Sequence, residues 1–294
     1  MPELPEVEIV RQSLNRQVKN RKIINIQVNN RNLRLKVPKD FEQIFKNAVI
    51  EKIQRKSKYL ILVFNNNLYC VIHLGMSGTL HFMGLKKKTT NLSFYGSQSL
   101  PKKHNHIIFR FKNFKLIYND PRRFGFFKIL NNKSDYLSFF TRIGPEAISK
   151  DFNKKYLSKI LRNRTKNIKN LLLDQKLVSG LGNIYVNEIL FQAKINPFKK
   201  SYLINLDENK RIIKYSKIIL NKAIRFGGSS IRDFKGISGK SGNFQSEFKV
   251  YDRAKKRCSR SKCSGQIRRK TKGTRNCRFT IKASTKAIKR RNFT

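Results

Sequence analysis

The stretch KYLILVFNNNLYCVIHL, residues 58–74, places two apolar runs of β type on either side of three asparagines. A short polar turn between two such runs is typical of a hairpin. The stretch HIIFRFKNFKLIY, residues 106–118, repeats the arrangement around Lys112 and Asn113. Two hairpins predict an antiparallel sheet in a sandwich or barrel-like domain. Cys70, inside the first hairpin, is then expected to be a buried strand residue.

The spacing of apolar residues changes after the second hairpin. In DENKRIIKYSKIILNKAIRFGG, residues 207–228, apolar side chains recur three and four positions apart, which is typical of an amphipathic helix. Asp207 is expected to cap this helix, and Gly227 and Gly228 to end it. Segment 84–103, which contains several Lys and Ser residues, is expected to be an exposed loop. The sequence therefore predicts a β domain followed by a helical one.

The composition is strongly basic, with 66 Lys and Arg against 17 Asp and Glu and a formal net charge of +49 over 294 residues. A polyanionic partner is expected, with nucleic acid ahead of an anionic membrane surface. With 39% hydrophobic residues the chain can bury cores, and its length favours two domains, or two and a small module. The sequence lacks an apolar run of about 18 residues and a signal-peptide core, so we expect the protein in the cytoplasm, at the nucleoid.

The first eight residues, MPELPEVE, contain three acids and a proline directly after the initiator Met. One interpretation is that the acids open a helix at Pro5, where carboxylates suit the positive helix end. The other starts from the small second side chain, which makes the Met removable and leaves Pro2 with a free secondary amine. Such an amine, with a pKa of roughly 7.7–8, can attack a sugar C1′ and form an iminium electron sink. Glu3 beside it is suited to proton transfer.

Nine short blocks follow one another along the chain: MPELPEVE (1–8), RKSKYLIL (55–62), HLGMSG (73–78), KHNH (103–106), DPRRFG (120–125), IGPEA (143–147), GLGNIYVNE (180–188), GGSSIRDF (227–234) and GNFQSEFKVYDR (242–253). In this order they resemble bacterial formamidopyrimidine-DNA glycosylase, from Pro2 to about Arg253. The resemblance implies an enzyme that removes oxidised purines such as 8-oxoguanine from DNA. It also implies that the enzyme then cuts the strand at the abasic site by successive β- and δ-elimination.

The resemblance implies an α+β, multidomain fold. An N-terminal β-sandwich catalytic domain is expected over 1–145, and a helical domain with a helix–two-turn–helix motif over 146–240. A C-terminal module over 241–294 corresponds to the family's zinc-finger β-hairpin, in an atypical, degenerate form. The expected partner is double-stranded DNA containing oxidised purines or abasic sites, bound by a monomer.

By resemblance, four residues of the N-terminal domain carry or support the chemistry. Pro2 would form a Schiff base with C1′, and Glu3 would act on the sugar ring oxygen and in proton transfer. Lys58 would contact phosphate and donate the proton for β-elimination; without the resemblance it would be an ordinary solvated lysine at the start of a strand. Glu6 is expected to orient the terminus.

Base removal requires flipping of the nucleotide, which leaves a gap in the base stack. By resemblance, Met76 and Phe124 fill this gap and Arg122 bonds the opposite cytosine; without it, Met76 would be a turn residue and Phe124 a core residue. His104 and His106 alternate along a strand edge, so that only one of them could face DNA, and the resemblance implies that this is His104. A histidine metal pair is disfavoured because no carboxylate lies nearby in the sequence. Further contacts to phosphate or to the flipped base are expected from Arg164, Asn183, Ser229, Ser230 and Arg232.

The tail departs from the family's four-cysteine finger. Cys258 and Cys263 are separated by four residues, Cys277 follows after 13 more, and Thr280 stands where the fourth cysteine belongs. The family holds one zinc ion per chain, and three thiolates without a fourth ligand predict weaker zinc binding here. Arg275 is expected to take the role of the family's finger arginine in late elimination.

Two other functions stay open. A sister class, similar to endonuclease VIII, prefers oxidised pyrimidines; Leu4, the expected covering loop 227–244 and the Met-Arg-Phe set argue against it. A basic DNA-binding protein that lost catalysis together with its finger is the second alternative.

Overall fold

The structure is a computed structural model, in which the chain forms two compact units. The first contains Met1–Gly144 and Leu220–Gln245, and the second contains Pro145–Ile219 and Ser246–Thr294. The division at residues 145 and 240, with a third domain after it, stays a prediction. The structure describes residues 1–84, 89–91, 101–229, 243–261, 263–272 and 275–281, of which 89–91, 271–272 and 275–281 are described by their backbone alone.

The described residues of the first unit form ten strands: β1 (Arg21–Lys22), β2 (Asn25–Val28), β3 (Val49–Lys56), β4 (Tyr59–Phe64), β5 (Tyr69–His73), β6 (Thr79–Gly84), β7 (Thr89–Asn91), β8 (Asn105–Arg110), β9 (Phe114–Asn119) and β10 (Phe126–Leu130). They form two five-stranded antiparallel sheets, ordered β1-β3-β4-β5-β10 and β2-β8-β9-β6-β7. Both predicted hairpins are confirmed, since β4 pairs with β5 and β8 with β9. Segment 84–103, expected to be a loop, contains a strand, because β7 pairs with β6.

One apolar cluster joins the two sheets to the helices α1 (Leu4–Val18) and α2 (Phe41–Phe45). Each fully buried aliphatic or aromatic side chain of this kind contributes roughly 1.5–3 kcal/mol. Cys70 is buried in the cluster as predicted, and burial raises the pKa of its thiol. The buried face of α1 has a spacing of three and four residues: Val7, Val10, Leu14 and Val18. The N-terminus of the chain is therefore held by a packed helix.

The unbroken apolar run of β4 is explained by cover on both faces of its sheet. Leu60 and Leu62 lie in the main cluster, whereas Ile61 packs with Phe140 of helix α3 (Lys133–Phe140) in a second one. A strand buried on both faces does not alternate between apolar and polar residues. This is why residues 58–64 predict a strand by composition rather than by periodicity.

The second unit is mainly helical and ends in a hairpin. Its helices and strands are α4 (Lys154–Leu161), α5 (Ile168–Leu173), α6 (Asn183–Gln192), the first part of α7 (Leu206–Arg225), β11 (Gln266–Lys272) and β12 (Arg275–Ile281). The predicted cap of α7 is wrong by two residues. Asn205 accepts the Glu208 N–H at 2.9 Å and donates its own N–H to the Glu208 carboxylate at 3.0 Å, while Asp207 lies in the first turn. This is a capping box, in which the residue three positions on decides the cap.

The predicted end of α7 is confirmed. Gly227 and Gly228 have φ angles of 78° and 82°, a conformation that glycine adopts most easily. The Gly228 N–H donates to the Ala223 carbonyl at 2.8 Å, which closes the last turn. In the described part of the chain, no helix is long and apolar enough to cross a membrane.

Candidate active site and nucleic-acid interface

The first residues of the chain are buried at the start of α1. Pro2 is buried, and Glu3 has 2% of its surface exposed. Glu3 is the N-cap of α1, and its N–H donates to the Glu6 carboxylate at 3.0 Å. Two carboxylates at a helix N-terminus are stabilised by the helix dipole, so the helix-opening interpretation of MPELPEVE is also correct in part. The helix thereby fixes the position of the terminal amine.

Glu6 connects this terminus to a distant part of the chain within the same unit. Its Oε1 accepts hydrogen bonds from the Ser229 N–H at 2.9 Å and from the Ser229 hydroxyl at 2.8 Å. Ser229 directly follows the glycines that end α7 and is fully buried. The Ser229 side chain, expected to contact the flipped base, is therefore bound to Glu6 in this structure. Ser230 and Arg232, assigned to the same covering segment, lie outside the described residues.

Lys58 lies in the two-residue turn between β3 and β4, directly before the first residue of β4. Ser57, the other turn residue, has a φ of 57°, and Lys58 is only 5% exposed. A solvated lysine at a strand start, the simpler interpretation of its sequence context, is therefore wrong. Burial keeps its ammonium group beside the terminus rather than in bulk water.

The charges around the amine oppose one another. Burial is the largest influence and lowers the pKa of the Met1 α-amine, the carboxylates of Glu3 and Glu6 raise it, and the charges of Lys58 and Arg122 lower it. The net direction is downward, so the unprotonated amine is favoured. Lys58 and Arg122 therefore lie close enough to act electrostatically on the terminus.

His73 also borders this region. Burial, followed by the charges of Lys58 and Arg34, lowers the pKa of His73 to about 4. Its Nδ1 accepts the Gly75 N–H at 3.0 Å, which requires the unprotonated nitrogen. Sequence reasoning missed this residue, although it opens the block HLGMSG.

Met76, Arg122 and Phe124 lie in two neighbouring loops, 74–78 and 120–125. Met76 is 44% and Phe124 43% exposed, and the Arg122 guanidinium lies 4.4 Å from the centroid of the Phe124 ring. Met76 lies in a turn, so that interpretation of its position is correct, whereas Phe124 is not the core residue that its sequence context suggested. Two large apolar side chains in water beside a cation are suited to entering a base stack.

The two loops touch through their backbones. Gly75 has a φ of 63°, and a Cβ atom at this position would lie 2.5 Å from the Gly125 nitrogen. Any larger residue would push the loops apart. Gly75 therefore sets the distance between the loops that carry Met76 and Phe124.

The two histidines of KHNH differ as expected. His106 is 2% exposed, and its Nε2 lies 2.8 Å from the Asp120 carbonyl. His104 is half-buried and ends a short 3-10 helix before β8 rather than lying in the strand. Only His104 is accessible to a ligand at the surface.

Arg164 and Asn183 belong to the second unit. Arg164 is exposed between α4 and α5. Asn183 is the first residue of α6, after Gly180, which has a φ of 89°. The positive end of the α6 dipole lies at Asn183, a position that suits phosphate oxygens.

Glu188 of α6 fastens the chain that leads into the C-terminal hairpin. Its carboxylate accepts the N–H groups of Lys249, Val250 and Tyr251 at 2.9, 3.0 and 2.7 Å. Burial raises the pKa of Glu188, and these backbone hydrogen bonds oppose that shift. The sequence contained this residue in GLGNIYVNE but gave no signal of its role, because its partners lie about 60 positions away.

The base of the hairpin is apolar. Cys258 is 6% exposed, and Cys263 packs against the cluster that contains it. Arg260, between the two cysteines, places its guanidinium 3.9 Å from the centroid of the Phe191 ring and donates a hydrogen bond to the Phe191 carbonyl. The other buried members of the cluster are Val250 and Ile267.

The third predicted zinc ligand lies elsewhere along the hairpin. Cys277 pairs with Lys270, whereas Ile267, beside Cys258, pairs with Thr280. Three residues of strand correspond to roughly 10 Å, and zinc binds thiolates at about 2.3 Å. This backbone register supports the weaker zinc binding expected from the sequence, which stays a prediction. The side chains of Cys277 and Arg275 themselves lie outside the described residues.

A terminal amine near buried carboxylates and a buried lysine is combined on one β-sandwich with an exposed wedge, the side chains of Met76, Arg122 and Phe124. This is the arrangement of a DNA glycosylase that works through its N-terminus. The family model for the formamidopyrimidine-DNA glycosylase N-terminal domain matches residues 1–127, and that for the family's H2TH domain matches 143–235. The formamidopyrimidine-DNA glycosylase of Wolbachia pipientis from Culex pipiens is 40% identical over 259 residues, covering 88% of this chain and 91% of the relative. That of Roseobacter denitrificans is 38% identical over 271 residues, covering 92% and 94%.

Solved structures agree with these relatives. A complex of Lactococcus lactis Fpg with DNA containing an abasic site has a TM-score of 0.83 at 34% identity, covering 95% of this chain and 97% of that one. A complex of the wild-type protein with DNA containing an oxidised pyrimidine has a TM-score of 0.83 at 33% identity, covering 95% and 98%. The chain belongs to the formamidopyrimidine-DNA glycosylase family.

Proposed function

We propose that this chain is a bifunctional DNA glycosylase and abasic-site lyase that excises oxidised purines, 8-oxoguanine and formamidopyrimidines, from duplex DNA in base excision repair. The observation that carries the proposal is the set of buried charged residues, Glu3, Glu6 and Lys58, whose charges act on the terminal amine next to Pro2. The names of the relatives support the substrate class. We expect a monomer acting in the cytoplasm, at the nucleoid.

The first step is base excision. After removal of Met1, the Pro2 nitrogen attacks C1′, and the bond from C1′ to the base breaks, so that the base leaves with the electron pair and takes up a proton. Glu3 protonates the ring oxygen, the C1′–O4′ bond breaks, and the positive charge stays on the iminium nitrogen. We expect the surroundings that lower the pKa of the Met1 amine to act in the same direction on the Pro2 amine, whose unprotonated form the attack requires.

Strand cleavage follows from the iminium. Loss of a C2′ proton expels the 3′-phosphate, with Lys58 serving in phosphate contact and proton transfer, and a second elimination expels the 5′-phosphate. Hydrolysis of the remaining imine releases Pro2. Arg275 is proposed to assist this late elimination from the hairpin.

The DNA contacts fall into two groups. Met76 and Phe124 fill the gap left by the flipped nucleotide, and Arg122 bonds the opposite cytosine through its guanidinium. The remaining contacts, to the backbone or the base, are proposed for His104, Arg164, Asn183, Ser229, Ser230 and Arg232.

The C-terminal module departs from the family's zinc finger, because Thr280 stands where the fourth cysteine belongs. Cys258 and Cys263 lie at the base of the hairpin, but the strand register sets Cys277 apart from them. We therefore assign no step and no tightly held ion to this module, and we attribute its cohesion to the apolar cluster and Arg260.

The alternative substrate, an oxidised pyrimidine, deserves a direct comparison because a structural neighbour was solved with such DNA. Borohydride trapping on duplexes with 8-oxoguanine or with thymine glycol opposite their normal partners tests both the chemistry and the preference. We expect a covalent adduct at Pro2, formed faster with 8-oxoguanine. Pro2→Gly should lose base excision but retain affinity for DNA, whereas Pro38→Gly, in an exposed loop, should behave as wild type.

Each outcome of this experiment is decisive. A faster reaction with thymine glycol would support the endonuclease VIII-like alternative. Binding without any adduct would support the non-catalytic alternative. Normal turnover by protein that retains Met1, as shown by mass spectrometry, would refute the terminal-amine mechanism.

A further inference from the structure

The carboxylate of Asp120, in the loop between β9 and β10, is fully buried. Its Oδ1 accepts hydrogen bonds from the Ser77 hydroxyl at 2.5 Å and from the Arg122 N–H at 3.3 Å. Its Oδ2 accepts hydrogen bonds from the Tyr118 hydroxyl and the Gly125 N–H, both at 2.9 Å. A buried carboxylate is stable only when it is satisfied in this way, because its loss of hydration is large. Asp120 therefore needs all of these donors in place.

The backbone of Asp120 is fixed as well. Its N–H donates to the His104 carbonyl at 3.0 Å, and its own carbonyl accepts the Arg123 N–H at 3.2 Å. The same carbonyl lies 2.8 Å from the Nε2 of His106 on β8. The carboxylate is therefore held by the second sheet and forms a fixed point beneath the two loops.

The Asp120 carboxylate binds Arg122 itself and the residues next to Met76 and Phe124. Arg122 donates its own N–H to Asp120, and it also donates to the Ser77 hydroxyl at 3.2 Å. Ser77 follows Met76 directly, and Gly125 follows Phe124 directly. The backbones of loops 74–78 and 120–125 are thus joined through one carboxylate, while the three wedge side chains stay at the surface.

We propose that Asp120 is the positioning residue of the wedge and holds the two loops in the arrangement in which Met76, Arg122 and Phe124 enter the DNA stack. This inference rests on the proposed function of those three residues. Groups ordered before binding gain affinity because their ordering entropy is not lost when DNA arrives. A carboxylate suits this role, since both oxygens accept hydrogen bonds, whereas the amide of an asparagine would turn two N–H groups toward donors on one side.

The test is Asp120→Asn, with Ser77→Ala as a milder variant that removes one donor. Asp135→Asn is the matched control, because Asp135 also accepts a backbone N–H, from Asn131 at 3.0 Å, near the start of α3. Two substrates separate positioning from general damage: a duplex with 8-oxoguanine opposite cytosine, and single-stranded DNA with a preformed abasic site. The second substrate has no paired stack to fill, so it needs the terminal amine but not the wedge.

We expect Asp120→Asn to excise 8-oxoguanine from the duplex about tenfold more slowly, which corresponds to about 1.4 kcal/mol in the barrier. It should also discriminate less between cytosine and adenine opposite the lesion. Cleavage of the single-stranded substrate should stay at the wild-type rate, and Ser77→Ala should show the same pattern more weakly. Wild-type behaviour of both variants on the duplex would refute the proposal, and so would an equal loss on both substrates. If the wild type cleaves neither substrate, the proposed function itself fails, and that result is distinct from either of these.

Discussion

Glu6 joins two segments that are 223 positions apart in the sequence. Through Oε2 it fixes the backbone beside the nucleophile, and through Oε1 it fixes the residue from which the expected covering segment departs. A neutral side chain of the same shape would present an N–H to donors on one of these sides. At the scale of the residue, the carboxylate is therefore required for both contacts together.

Glu6→Gln is expected to slow single-turnover base excision by about tenfold or more, because an unsatisfied buried donor costs about 1–3 kcal/mol. Rapid-quench assays with enzyme in excess over an 8-oxoguanine duplex measure this rate. Glu51→Gln, on an exposed position of β3, is the matched control and should leave the rate unchanged. Equal rates for Glu6→Gln and wild type would show that the Ser229 contact has no part in the reaction.

The electrostatics of the terminus predict a pH dependence. The α-amine of Met1 has a pKa lowered mainly by burial and further by Lys58 and Arg122, and we expect the same surroundings to lower the pKa of the Pro2 amine once Met1 is removed. Because the amine reacts only when unprotonated, the rate of borohydride trapping should rise with pH through that lowered pKa and then level off. Lys58→Gln removes a positive charge that favours the neutral amine, so its rising limb should move to higher pH.

Lys52→Gln, on an exposed position of β3, is the control for general charge and should not move the limb. The midpoint of the profile is the quantity compared, so that a lower plateau in Lys58→Gln does not obscure it. A profile of Lys58→Gln that coincides with that of wild type, or moves to lower pH, would contradict the assigned electrostatics.

At the scale of the element, the sequence was informative where a local pattern decides the structure. The hairpins of β4 with β5 and of β8 with β9 follow from apolar runs around short polar turns, and the end of α7 follows from Gly227 and Gly228. The start of α7 was missed because two polar residues competed for the cap, and the reciprocal bond of Asn205 with Glu208 decided between them.

Long-range contacts explain what the sequence could not show in the site. The motifs located Pro2, Glu3, Lys58 and the wedge, but their functional roles stay predictions. The pattern did not reveal that Lys58 is buried, since burial depends on packing around the β3–β4 turn. The role of Glu188 was hidden because its donors lie about 60 positions away, and that of Asp120 because its link to the other loop comes from Ser77, 43 positions away.

The C-terminal hairpin provides a prediction at the same scale. Arg260 stacks on Phe191 and bonds to its carbonyl at the end of α6, in a module for which we expect weak zinc binding. Arg260→Ala should loosen the hairpin by about 1–3 kcal/mol from the lost cation–π contact and hydrogen bond, seen as faster proteolysis of the tail. Arg269→Ala, an exposed arginine on β11, removes the same charge and should digest as wild type.

Metal content completes that experiment. Protein purified without added metal should contain far less than one zinc ion per chain, and a chelator should not change its proteolysis. One tightly held zinc ion, or protection by zinc that Arg260→Ala leaves intact, would show that thiolates rather than Arg260 hold the hairpin.

At the scale of the whole molecule, the chain has 66 basic and 17 acidic residues, and this imbalance predicts how DNA binding responds to salt. Each phosphate neutralised on duplex DNA releases counterions, and the logarithm of the binding constant falls by about 0.9 per phosphate for each tenfold rise in salt. About six contacts would weaken binding roughly a thousandfold between about 50 and about 200 mM salt. Fluorescence anisotropy of a labelled abasic duplex across this range measures the slope.

Arg164→Gln should reduce the slope by about 0.9 if Arg164 contacts a phosphate. Lys19→Gln, which replaces an exposed residue just after α1, should not change the slope. A nearly flat salt dependence would mean that the charge of this chain does not serve DNA binding, and an unchanged slope for Arg164→Gln would remove that residue from the interface.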